Sequence, residues 1–123
     1  MTAAAGLDLP ADLSAARRAR EFVRSRICPD HGGDVLERAL LAVSELIVNA
    51  VEHGRPPVHA HVACRCGVLR LEVSDGSPEA PRHNVADSAA ESGRGVALVA
   101  AVSSDWGVRA SGRGKTVWCE LTA

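Results

Sequence analysis

Apolar residues recur every three to four positions over two stretches of the chain and every second position over several others. Residues 12–27, DLSAARRAREFVRSRI, place Leu13, Ala16, Ala19, Val23 and Ile27 on one side and the arginines on the other. This spacing predicts an amphipathic helix that CPDHGG then breaks. Asp34 with Glu37 forms a capping-box-like start to a second helix. Its stripe is Leu36, Ala39, Leu40, Val43, Ile47, Ala50 and Val51, with Gly54 as a C′ stop and RPP preventing continuation. VHAHVAC then alternates, with Val58, Ala60, Val62 and Cys64 on one face. RCG is a tight turn into VLRLEVS, where Leu69, Leu71 and Val73 point in and Arg70 and Glu72 point out. Residues 75–95 carry little periodicity. VALVAAVSS reads as a short helix, and SDWGVRA and KTVWCELT as two strands joined by SGRG. The order α-α-β-β-loop-α-β-β predicts an α+β fold, a mostly antiparallel sheet with helices on one face. Residues 1–11 are expected to form a flexible N-terminus and 12–123 a single domain.

Composition narrows the function classes. A chain of 123 residues, 46% apolar and 24% charged, suits one soluble domain with one core. A net charge of −1, with both signs mixed along the chain, gives no electrostatic case for nucleic acid or an anionic membrane. MTAAAGLDLP has neither the basic segment nor the apolar core of a signal peptide, and no apolar run approaches a membrane span. Cysteines at 28, 64, 66 and 119 are read as reduced thiols in a cytoplasm. HAHVACRC invites a zinc reading. However, Cys64 falls on the opposite side of the strand from His59 and His61, and CxxC spacing is absent, so zinc is set aside.

The second helix raises a question of chemistry. Glu45, Asn49 and His53 form a polar row at intervals of four beside the apolar stripe. Glu45 and Asn49 are either solvated positions or part of a hard-cation site. In the second case the Asn49 amide oxygen would be a ligand to Mg²⁺ and Glu45, one turn earlier, a general base. Asp75 ends a strand before Gly76, Ser77 and Pro78. It is either a turn residue or an acceptor-only carboxylate that takes the exocyclic amine of adenine and repels the carbonyl of guanine. Gly93, Arg94 and Gly95 precede the last helix, where bare backbone N–H groups could meet phosphate. GRGKT at 112–116 lacks Walker A spacing and leads into a strand, so it is not a P-loop. Thr116, beside Lys115, is either an ordinary strand residue or a hydrogen-bonding partner near Asp75.

Together these segments resemble the GHKL ATP-binding superfamily. Glu45-Leu-Ile-Val-Asn49-Ala-Val-Glu-His53-Gly54 is similar to its N box, and Ser74-Asp75-Gly76-Ser77-Pro78 to its first glycine box. Gly93-Arg94-Gly95-Val96-Ala-Leu-Val is similar to the second, and Gly114-Lys115-Thr116-Val117-Trp118 to the closing segment. The segments come in the family's order and cover nearly the whole chain. One departure is that Asp75-Gly76-Ser77-Pro78 stands where Asp-x-Gly-x-Gly is usual. The branch most resembled is the anti-sigma-factor serine/threonine kinase group, RsbW-like or SpoIIAB-like. The resemblance implies a two-layer α/β sandwich of the Bergerat type that binds Mg-ATP under a lid between Pro78 and Gly93. Asn49 would hold Mg²⁺ and Glu45 would deprotonate the attacking hydroxyl. Asp75, Gly76, Pro78, Gly93, Arg94, Gly95, Val96, Lys115 and Thr116 would complete the nucleotide site. His53 would place partial positive charge at a helix C-terminus.

The resemblance also implies a cytoplasmic homodimer that binds a sigma factor or phosphorylates a serine of a STAS-type anti-anti-sigma protein. The length leaves no room for a histidine kinase's phosphoacceptor helices or a gyrase-like transducer domain. The alternative is a non-catalytic ATP-binding module that sequesters a protein partner; the presence of Glu45 favours catalysis.

Overall fold

A computed structural model describes residues 2–27, 33–65, 67–77 and 91–122, and gives the backbone alone for residues 2, 3, 91–96 and 111. The elements are β1 (Thr2–Leu9), α1 (Ala15–Arg26), α2 (Gly33–His53), β2 (Val58–Arg65), β3 (Val68–Asp75), α3 (Glu91–Val102), β4 (Asp105–Ser111) and β5 (Gly114–Thr122). The strands form one sheet in the order β1-β2-β3-β5-β4, every neighbouring pair antiparallel. The expected α+β architecture is therefore observed.

The core follows from strand alternation. Val58, Ala60, Val62 and Cys64 of β2, Leu69, Leu71 and Val73 of β3, and Val117, Cys119 and Leu121 of β5 are buried on one face. Helices cover that face. α2 packs against β2, β3 and β5 and is flanked by α1 and α3. Ala15, Ala19, Ala39 and Ala42 are fully buried, and such small side chains let helix backbones approach closely. Arg38 joins three elements: its Nε donates to Asp34 at 2.8 Å, and its two terminal nitrogens donate to the carbonyls of Val102 (3.1 Å) and Thr122 (2.6 Å). The loops are short where the registers demand it. Arg65 faces Val68 in register, and Gly67 just before β3 has φ +81°, a conformation glycine adopts without steric cost.

Several expectations are corrected. Residues 1–11 were expected to be flexible, yet Thr2–Leu9 pairs in full register with β2. Ala and Gly have little strand preference, but the open edge of β2 supplies hydrogen-bonding partners, and Leu9 closes the core. Leu13 is not on the apolar side of α1. It lies in the turn before the helix, 97% exposed, while the Asp12 carboxylate accepts from the Ser14 N–H and Oγ. The Ser14 hydroxyl and amide hold the Asp12 carboxyl below its ordinary value. On α2, Asp34 pairs with Arg38. The buried arc of α2 takes in Val35, Ala42, Leu46 and Asn49, whereas Leu36, Leu40 and Val51 are half-buried. A helix enclosed by a sheet and two other helices buries more than one stripe, so the stripe expected for a surface helix was too narrow.

Candidate functional site

Three chain segments converge where β3 ends: the C-terminus of α2, the Asp75–Ser77 corner and the start of β5. Asp75 continues the inward parity of Leu69, Leu71 and Val73, so its carboxylate turns into the helix-covered layer. Lys115 is its register partner on β5 and shares parity with Val117, Cys119 and Leu121. The Lys115 Nζ lies 2.8 Å from Asp75 Oδ2, with the two side chains only 3% and 2% exposed. The other carboxylate oxygen accepts the Ser77 N–H at 2.7 Å, closing an Asx turn that places Ser77 inside as well.

Glycines make this convergence possible. A Cβ on Gly54 would lie 2.5 Å from Asp75 Cγ and 2.6 Å from its Oδ2. Gly54 thus ends α2 less as a left-handed cap than as the residue that lets the helix end reach the carboxylate; its N–H bonds to the Ala50 carbonyl at 3.0 Å. A Cβ on Gly114 would collide with the Asp75 carbonyl oxygen. Gly76 N–H donates to the Arg55 carbonyl at 2.6 Å, fastening the β3 corner to the segment after α2.

Asn49 is the second element of the site. It is 6% exposed, so it does not lie on a solvated helix face, and its Oδ1 has no hydrogen-bond partner. An orphaned buried amide oxygen costs free energy unless something outside the chain completes it. It is a neutral oxygen donor of the kind Mg²⁺ accepts when phosphate oxygens and water fill its other positions. Among the described residues no cluster of three His, Cys, Asp or Glu could hold a metal. A cation there would lean on Asn49 and on its ligand's own oxygens.

Glu45, one turn earlier, is half-buried. His53 does not continue the row into the interior. Its side chain is 47% exposed and sits 3.7 Å from Glu52, in the last turn of α2. Thr116 is the register partner of Ser74 rather than of Asp75. It shares the outward parity of Trp118 and Glu120, and its hydroxyl hydrogen-bonds Ser74 at 2.8 Å on the opposite face of the sheet. Alternation forces this, since Lys115 and Thr116 cannot both face in. Gly93, Arg94, Gly95 and Val96 fall inside α3 rather than before it. Each glycine costs a helix only about 1 kcal/mol, which the apolar run that follows can offset. Pro78, and the lid expected between Pro78 and Gly93 as far as residue 90, lie outside the described residues.

Of the histidine and cysteine run, Cys66 lies outside the described residues. His59 Nδ1 pairs with Asp8 at 2.8 Å, while Cys64 is buried on the other face. The signals missed in the sequence were parity at Lys115 and close packing at Gly54 and Gly114. The first could have been found by continuing the alternation of KTVWCELT back by one step.

No curated protein matches this sequence significantly. Among solved structures, the crystal structure of the RsbU and RsbW domains of Rv1364c from Mycobacterium tuberculosis superposes with a TM-score of 0.69 at 19% identity. The match covers 97% of this chain and 31% of that one, so the present chain spans about a third of that protein. At this identity the match speaks to the fold. The family model of the histidine kinase-like ATPase domain matches residues 9–121. With nearly the whole chain matched, and with a buried amide and a buried carboxylate lying where the N box and first glycine box were read, this chain belongs to the histidine kinase-like ATPase domain family.

Proposed function

We propose that the chain binds Mg-ATP and transfers its γ-phosphoryl group to a serine of a STAS-type anti-anti-sigma protein, regulating a sigma factor by partner switching. The observation that carries this reading is the unpartnered, buried Asn49 Oδ1, one turn after Glu45 in a domain of this family. Gly54 lies five positions after Asn49, about 7.5 Å of helix rise. The amide and the Asp75 carboxylate therefore address different parts of one elongated ligand, phosphates at Asn49 and base at Asp75. Mg²⁺, when bound, would neutralise phosphate charge and orient the γ-phosphate.

The residues of the chain divide the remaining work. Asn49 holds the cation and Asp75 receives the exocyclic amine of the base. Glu45 accepts the proton of the partner's serine hydroxyl as its oxygen bonds to γ-phosphorus. The bond from that phosphorus to the bridging oxygen breaks, and ADP leaves. The acting form is proposed to be a cytoplasmic homodimer, as the resemblance to the anti-sigma-factor kinase group implies. No helix among the described residues is long and apolar enough to cross a membrane.

The test is single-turnover phosphorylation of the STAS partner at saturating ATP. Glu45→Gln should retain ATP binding and lose about a hundredfold to ten-thousandfold in rate, the usual worth of a general base. Equal rates would remove Glu45 from the mechanism. Tight partner binding with no transfer, even by the unmodified chain, would establish the non-catalytic sequestering module instead.

A further inference from the structure

The sequence reads Asp75 as an acceptor-only carboxylate with Thr116 as a candidate neighbour, but its partner is Lys115. Lys115 Nζ sits 2.8 Å from Oδ2, and both side chains are almost wholly buried. A buried ion pair is weak evidence for a purely structural role. Desolvation consumes most of its Coulombic gain, and a well-packed apolar pair often serves stability as well. Lys115 lies on a parity otherwise occupied by Val117, Cys119 and Leu121, where an apolar residue would extend the core.

The chemistry of the pair suggests its use. An ammonium carries three N–H donors and no acceptor, and Asp75 engages one of them. A ligand that reaches the pair would meet an acceptor with a donor beside it. Adenine presents the complement on its Watson–Crick edge, an exocyclic amine that donates next to a ring nitrogen, N1, that accepts. Guanine presents the reverse, a carbonyl next to an N–H. We infer that Lys115 is a second base-reading residue, donating to N1 of adenine while Asp75 accepts from the exocyclic amine. Guanine then meets two mismatches where Asp75 alone would supply one.

This inference rests on the ATP-binding reading, and the experiment separates the two. Titration calorimetry with Mg²⁺ compares ATP with 1-deaza-ATP, in which N1 is replaced by C–H and the exocyclic amine is kept. The unmodified chain should bind 1-deaza-ATP about tenfold or more weaker than ATP, the effect of losing a hydrogen bond to a charged group. Lys115→Met should bind both within about twofold of each other. The first comparison changes only the ligand, so it holds even if the variant folds poorly. Equal binding of ATP and 1-deaza-ATP by the unmodified chain would overturn the inference while leaving ATP binding intact. Tighter ATP binding by Lys115→Met would also overturn it, showing that Lys115 plugs the site. Binding of neither nucleotide would overturn the ATP reading itself, and this inference with it.

Discussion

At the scale of single residues, the Asp75–Lys115 pair is where the proposed base reading meets stability. Asp75→Asn removes the negative partner and leaves a buried ammonium facing a neutral amide. Breaking such a pair from one side costs about 3–5 kcal/mol. Urea unfolding should show a loss of that order for Asp75→Asn, with Asp75→Asn/Lys115→Met recovering a good part of it because no uncompensated charge remains. A single mutant as stable as the wild type would mean that the pair is not formed in solution. Nucleotide preference should therefore be measured for Asp75→Asn only where the variant is shown to be folded. Sequence reading found Asp75 and offered Thr116 as its hydrogen-bonding neighbour, whereas Lys115 is its partner. Register, which decides that Lys115 and not Thr116 faces it, depends on strand pairing across 40 residues and carries no local signal. Parity within KTVWCELT was nevertheless available and places Lys115 inward. Asn49 was also legible, but periodicity leaves it either solvated or a cation ligand, because it does not show that α1 and α3 both pack on α2.

At the scale of elements, the outward face of the sheet carries its own electrostatics. Arg70 of β3 lies 4.3 Å from the centre of the Trp118 ring and donates to Glu72 at 2.9 Å and Glu120 at 3.0 Å. Arg109 of β4 adds a longer contact to Glu72 at 3.4 Å. Burial pushes the Glu72 carboxyl up, but the Arg70 guanidinium more than offsets this, leaving it below its ordinary value of 4.5. A carboxyl held lower in the folded state stabilises fully above its unfolded value and loses that contribution as pH falls through the folded one. Glu72→Gln should therefore unfold more easily than wild type at pH 7, by about 1 kcal/mol. The gap should narrow as pH drops below 4.5. A gap constant from pH 7 to pH 3 would show that packing, not charge, accounts for the effect. The alternation Leu69, Leu71, Val73 against Arg70 and Glu72 made this strand legible from sequence. β1 was not legible, because three consecutive alanines and a glycine are strand-forming only beside a waiting edge.

At the scale of the whole molecule, the fold brings the end of one helix and the ends of two strands to a single point. Mg-ATP is proposed to bind from this point along α2, with its phosphates and cation at Asn49. Its amide oxygen is buried and unpartnered, so its removal forfeits little internal bonding, and alanine is the best helix former. Asn49→Ala should therefore unfold within about 1 kcal/mol of wild type, since the orphaned oxygen it loses carries a desolvation cost of its own. The direct measurement is titration calorimetry of Asn49→Ala with ATP in the presence and absence of Mg²⁺, with the melting curve recorded on the same sample. A stable variant that has lost Mg-dependent ATP binding is the predicted result. Wild-type affinity and wild-type Mg²⁺ dependence in Asn49→Ala would contradict it.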